Sequence, residues 1–118
     1  MKSPVFRLTE SCRRDLTKLS DEAVVDFRSL LDQLSNDPVN PGVQVHYYRE
    51  MRLSRLSASS NLVLIYSLEL PEVAKQLSND QILEGYLQGR FPLIFVLGGI
   101  KPVEAFERLK LAAETQTA

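Results

Sequence analysis

The 118-residue chain has the length of one domain, with 44% hydrophobic residues, 25% charged residues and a formal net charge of −1. This charge excludes nucleic-acid binding by the surface as a whole, so any phosphate recognition needs a local basic patch. One Cys and one His can form neither an intramolecular disulfide nor a zinc site alone, and no metal or cofactor is predicted. The chain has no apolar run approaching the roughly 20 residues of a spanning helix and no secretory signal pattern, which predicts a cytoplasmic location and no membrane partner.

A strand and two helices are predicted at the start of the chain. Val5–Leu8 places apolar residues on one face, as a half-buried strand does. Thr9 offers a helix N-cap and Ser20 offers a second one, with so short a link that the two helices should form an antiparallel hairpin. Their predicted buried positions recur at helical spacing: Cys12, Leu16 and Leu19 in the first helix, and Val24, Phe27, Leu31 and Leu34 in the second.

A loop and a central β-hairpin follow. The prolines and glycine of Asn36–Gly42 predict a loop, and the alternation of Val43–Tyr48 predicts a half-buried strand. Met51–Leu56 and Asn61–Leu68 predict a hairpin, joined by the small polar link Ser57–Ser60. The second strand of this hairpin is almost wholly apolar, which indicates a central position in a sheet.

The last part of the chain predicts helices, a strand and a closing helix. The segment 69–91 predicts one or two short helices, with a capping cluster at Ser78–Asp80 and an end at Gly89; Val73, Ala74 and Leu77 are expected to face inward. Leu93–Leu97 predicts a second apolar strand. The two glycines that follow predict a tight turn into a helix that begins at Pro102, and 115–118 predicts a frayed tail.

Together these elements predict one α+β domain over 1–118. The N-terminal strand and helical hairpin are expected to pack on a small antiparallel sheet. An inserted helical segment (69–91) and a C-terminal helix complete the predicted order.

Three stretches carry a resemblance to a known family: FRLTESCRRDLTKL at 6–19, NDPVNPG at 36–42 and MRLSRLSASSNLVLIYSL at 51–68. In this order, with an apolar strand near the C-terminus, the chain resembles the RelE/ParE superfamily of bacterial toxin–antitoxin toxins. The resemblance covers most of the chain and marks 69–91 as an insertion. It implies two kinds of function, because some members are ribosome-dependent messenger-RNA endonucleases and others bind and inhibit DNA gyrase without cutting RNA.

The resemblance matches Arg52 and Arg55 to the basic strand of the family, where a guanidinium can hold a phosphate. In an unkinked strand the two residues point to opposite faces, and Arg52 is the better match. After the last strand, nuclease members carry Arg or His and then an aromatic residue, whereas this chain has Lys101 with no Tyr or His after it. His46 is the residue with a pKa suited to acid–base work near neutrality. The weak catalytic candidates are therefore Arg52, His46 and Lys101.

Two further sets of residues are candidates for binding. Arg49, Arg52, Arg55 and Tyr48 are expected to contact nucleic acid or a partner, with a solvated strand as the alternative. Ile82, Leu83, Tyr86 and Leu87 are expected either to pack on the sheet or to form a homodimer contact.

The expected function is that of a RelE/ParE toxin-like protein that binds a protein, such as an antitoxin, or a nucleic acid, such as ribosomal or messenger RNA, with catalysis lost. The alternatives are a ribosome-dependent endonuclease and a non-toxic structural or regulatory homodimer. Whether the chain is an enzyme stays open.

Overall fold

A five-stranded sheet with helices organises the part of the chain that the computed structural model describes, residues 4–38 and 51–105 and the backbone of 45–48. Within these ranges no helix is long and apolar enough to cross a membrane. The elements in chain order are β1 (Val5–Leu8), α1 (Glu10–Thr17), α2 (Asp21–Asn36), β2 (Val45–Tyr48), β3 (Met51–Arg55), β4 (Leu62–Glu69), a 3₁₀ helix (Glu72–Ala74), α3 (Asn79–Leu87) and β5 (Ile94–Pro102).

The strand order in the sheet is β1-β5-β4-β3-β2. The predicted α+β class is confirmed, and the central hairpin is formed by β3 and β4. The sheet is mixed rather than wholly antiparallel, because β1 pairs in parallel with β5 while the other neighbours are antiparallel. Alternation along a strand predicts which side chains share a face, but it carries no information about the direction in which two distant strands meet.

The main core lies between the helices and one face of the sheet, which we call the helix face. Tyr66 and Phe95 form its centre, with ring centroids 5.7 Å apart in an edge-to-face arrangement, and Phe6 stacks on Phe95 at 5.4 Å. Helices α1 and α2 close it, with N-caps at Thr9 and Ser20 as predicted. The core cluster includes Cys12, Phe27, Leu30, Leu34, Leu56, Leu64, Leu97 and Ile100. Phe27 and Leu34 of the predicted α2 stripe are buried and Leu31 is partly buried, whereas the fully buried Leu30 was not predicted.

The last strand differs from the prediction. β5 continues through both glycines to Pro102, so the predicted tight turn is wrong, and helical backbone begins at 103, one residue after the predicted start. Ile65 pairs with Gly99 whereas Tyr66 pairs with Leu97, which leaves Gly98 as the extra residue of a β-bulge. Helical backbone is described at 103–105; the rest of the predicted closing helix and the predicted tail lie outside the described residues.

The inserted segment forms the 3₁₀ helix and α3. Ser78 and Gln81 form a capping box at the start of α3, and Gly89 follows its end with φ 76°, as the sequence predicts. A second, smaller core cluster joins Ile82 and Tyr86 to Leu93. The expectation that Val73 faces inward is wrong, because its side chain is 83% exposed and the tight 3₁₀ turn buries only Ala74.

Candidate binding face

The two arginines of β3 point to opposite faces of the sheet, which confirms the predicted parity. Arg52 pairs with Tyr66 and therefore lies on the helix face, while Arg55 pairs with Val63 on the other side. Arg52 is only 9% exposed. Leu56, which shares the face of Arg52, is buried in the main core with residues of α2, so this is the face that the helices cover.

A buried polar cluster surrounds this position. The hydroxyls of Ser54 and Tyr66 are 2.9 Å apart and form a hydrogen bond across β3 and β4. Both side chains are almost completely inaccessible, and Arg52 lies beside Tyr66 in the register. Buried polar groups are stable only when hydrogen-bonded, so this cluster stabilises the fold. The burial of Arg52 leaves little of its guanidinium for a macromolecular phosphate.

The opposite surface, which we call the candidate face, carries Arg55, Val63 and Lys101 in one row. Val63 pairs with Arg55 on β3 and with Lys101 on β5, so the two cations flank it. Two strand spacings separate their backbones by about 10 Å. Leu53 and Val63 lie on the same face as the two cations and are buried, whereas Arg55 is partly exposed and Lys101 is exposed. This arrangement presents two positive charges on one face of the sheet.

Asp15 of α1 fixes one end of this row. Its Oδ2 accepts the backbone N–H of Ile100 at 3.0 Å and lies 3.4 Å from the Nζ of Lys101. The hydrogen bond from Ile100, followed by the charge of Lys101, lowers the pKa of the Asp15 carboxyl, although partial burial opposes the shift. Asp15 thus replaces a strand partner for β5 beyond the end of β1 and keeps Lys101 at the edge of the candidate face.

The other predicted site residues of this region are only partly described. Arg49 lies outside the described residues. His46 and Tyr48 belong to β2, where their backbone positions pair with Leu53 and Met51. Their roles in catalysis and binding stay predictions.

The predicted dimer contacts on α3 divide into two pairs. Ile82 and Tyr86 are buried within the protomer against Leu93, whereas Leu83 is partly exposed and Leu87 is 68% exposed. The packing alternative therefore accounts for the first pair. Only the second pair remains accessible to another chain.

The thiol of Cys12 is a core group. Its side chain is fully buried, and burial, followed by the nearby Asp15 carboxylate, raises its pKa, which disfavours the nucleophilic thiolate. Within the described ranges, no group of three His, Cys, Asp or Glu side chains is placed to hold a metal ion.

Two structural residues were not identified from the sequence. Asp15 lies three residues after Cys12, on the buried side of α1, and an acid at that position is a signal that it caps a backbone group or pairs with a cation. Gly98 gives a weaker signal, because paired glycines suit both a turn and a bulge.

This chain matches no family model, no curated protein and no solved structure. The candidate face is therefore defined by its own geometry. Its distinguishing feature is the row in which Arg55 and Lys101 flank the buried Val63, with Arg52 packed on the other side of the sheet.

Proposed function

We propose that this chain is a RelE/ParE toxin-like protein of the bacterial cytoplasm that acts by binding an acidic partner, an RNA or a protein, through the candidate face. The observation that carries the proposal is the row of Arg55 and Lys101 on one face of the sheet. The order of elements also supports it, because a strand, two helices, a three-stranded meander and a returning strand form the arrangement that the resemblance implies.

Among the described side chains, the carboxylates near the two cations favour binding over RNA cleavage. Cleavage beside a 2′-hydroxyl needs a general base and a general acid within hydrogen-bond reach. Asp15 is the carboxylate beside Lys101, but it already accepts the Ile100 N–H and its pKa is lowered, which makes it a weak base. Glu69 is six residues from Val63 along β4, about 20 Å away, and pairs with Arg7 at 3.3 Å.

The experiment that tests the proposal is induced expression in a bacterial host, with growth and messenger-RNA integrity followed together. We expect the wild-type protein to arrest growth while messages stay intact, and Arg55→Ala/Lys101→Ala to relieve the arrest. The matched control is Arg13→Ala/Arg28→Ala, which removes two exposed cations from α1 and α2 and should leave the arrest unchanged. Circular dichroism of each purified variant verifies that it is folded.

The other outcomes separate the alternatives. Cut messages that depend on Arg55 and Lys101 would replace the binding proposal with the endonuclease function. Normal growth on expression of the folded wild-type protein would overturn the toxin-like proposal and favour a structural or regulatory homodimer. Relief of the arrest by the control variant as well would show that loss of positive charge at any position is sufficient.

A further inference from the structure

An apolar groove lies where the inserted segment leaves β4 and rejoins β5. We call it the insertion groove; its volume is about 450 Å³, and its apolar lining consists of Leu70, Pro71, Val73, Phe91, Pro92 and Ile94. Val73 extends almost entirely into solvent at this groove. The groove is large enough for two or three side chains of a ligand, and none of its lining residues belongs to the row of Arg55 and Lys101.

One wall of the insertion groove is held in place by the end of α3. The N–H of Arg90 donates to the carbonyl of Gly85 at 2.9 Å and that of Gly89 donates to Tyr86 at 3.0 Å, which is a Schellman motif. Phe91 then packs directly against Gly85, where an added Cβ would lie 2.6 Å from its ring. The aromatic wall is thus positioned by backbone geometry, and a ligand does not have to order it.

The charges at the groove are unequal. Glu69 is engaged by Arg7 through an ion pair of 3.3 Å. Arg90 is exposed, and its guanidinium forms no ion pair or side-chain hydrogen bond with any residue in the described part of the chain. The groove therefore combines an apolar lining with one uncompensated positive charge. This combination suits a ligand that has an apolar side chain beside a carboxylate.

The neighbouring edge of the sheet favours an extended polypeptide as the ligand. Ile94 of the groove pairs with Val5 of β1, which is 49% exposed. The N–H groups of Val5 and Thr9 donate to β5, so in this parallel ladder the backbone groups of Phe6 and Leu8 point away from it. An extended segment that leaves the groove along β1 can add a strand there through main-chain hydrogen bonds.

We propose that the insertion groove docks an extended segment of a partner protein in which apolar residues alternate with acidic ones. The apolar side chains occupy the pocket, a carboxylate pairs with Arg90, and the backbone continues along β1. This surface is separate from the row of Arg55 and Lys101, because β4 places Glu69 and Val63 about 20 Å apart. The proposal for the insertion groove and the proposal for the candidate face can therefore be refuted independently of each other.

Fluorescence anisotropy with three labelled, end-capped hexapeptides tests the proposal. The first alternates Leu and Glu, the second alternates Leu and Lys, and the third alternates Ser and Glu. We expect the Leu–Glu peptide to bind about tenfold more tightly than either of the others, because only it supplies both apolar side chains and carboxylates. Equal affinity for the Leu–Lys or the Ser–Glu peptide would overturn the assignment of ligand chemistry.

Two groove variants and two matched controls locate the binding. Arg90→Gln should weaken binding of the Leu–Glu peptide about threefold through loss of one exposed ion pair. Val73→Asp should weaken it about tenfold, because it places a negative charge in the apolar lining. The controls, Arg28→Gln on α2 and Leu87→Asp on α3, change an exposed cation and an exposed apolar residue elsewhere and should leave the affinity unchanged.

The result that would overturn the groove assignment is retained affinity in both groove variants, or an equal loss in the controls. Both substituted groove positions are exposed, so neither change removes a core contact. Arg55→Ala/Lys101→Ala should bind the Leu–Glu peptide as the wild type does. A loss of peptide binding in that variant would place the peptide on the candidate face instead.

Discussion

Replacing Asp15 with Ala removes the acceptor that holds β5 beyond its bulge. In the wild-type protein the Asp15 carboxylate accepts the Ile100 N–H at 3.0 Å and faces the Lys101 Nζ at 3.4 Å. The substitution leaves the Ile100 N–H without its partner and releases Lys101 from the edge of the candidate face. We expect a loss of stability together with greater mobility of the part of β5 that follows the bulge.

The expected loss follows from these two contacts. A hydrogen bond to a charged acceptor contributes about 1.5–3 kcal/mol to the free energy of unfolding. The contact with Lys101 adds at most about 1 kcal/mol, since nearly half of the lysine side chain is in solvent. Ala has a higher helix propensity than Asp and returns up to about 0.7 kcal/mol within α1. The net loss for Asp15→Ala should therefore be about 2 kcal/mol.

This loss should depend on pH in a definite direction. The pKa of Asp15 is lowered in the folded state, so the unfolded chain takes up the proton more readily than the folded one. The stabilisation is fully present above the unfolded pKa of about 4 and is lost as the pH falls through the folded pKa. The difference between wild type and Asp15→Ala should thus be full at neutral pH and shrink in acid below about pH 4.

Urea denaturation followed by far-ultraviolet circular dichroism measures both quantities, since the chain contains no Trp. Asp32→Ala in α2 is the matched control, because it removes an exposed helical carboxylate. An Asp15→Ala protein as stable as this control at neutral pH would refute the assigned role. A stability difference between wild type and Asp15→Ala that stays constant as the pH falls below about 4 would refute the contribution of the Asp15 charge.

Three further predictions concern the core, the basic strand and the end of α3. Tyr66→Phe should lower the free energy of unfolding by about 1–2 kcal/mol, because it leaves the buried Ser54 hydroxyl without this partner; an unchanged urea midpoint would contradict this. Arg52→Ala should lower the free energy of unfolding by more than about 1.5 kcal/mol, because Arg52 is buried, and Arg55→Ala by less than about 0.5 kcal/mol. The reverse order in urea denaturation would show that the two arginines are assigned to the wrong faces. Gly89→Ala should lower the thermal midpoint through a cost of about 1 kcal/mol, since φ is 76° there, and a raised midpoint would disprove the strain.

Local chemistry in the sequence predicted the beginnings of the helices. Thr9, Ser20 and Ser78 cap α1, α2 and α3 because each side-chain oxygen meets a backbone N–H three residues away, an interaction contained within a few residues of sequence. Alternation likewise predicted the separation of Arg52 and Arg55 by parity.

The contacts that sequence reasoning missed join distant parts of the chain. Asp15 meets Ile100 across 85 positions, and β5 continues past its two glycines because it also pairs there with the first half of β4. Parity also left undecided which face of β3 the helices cover. The packing of Leu56 in the main core decides this, since Leu56 lies on the same side as Arg52. The insertion groove depends on the packing of Phe91 on Gly85, which no local pattern encodes.

The most direct test of the central claim is charge reversal on the candidate face. Growth after induction is compared between wild type and Arg55→Glu/Lys101→Glu, with Arg13→Glu/Arg28→Glu as the control and with folded protein present at equal levels. We predict that the wild type and the control arrest growth and that the reversal on the candidate face abolishes the arrest, because an acidic partner is then repelled. Arrest by the reversed protein at the wild-type rate would contradict the claim that Arg55 and Lys101 mediate the function.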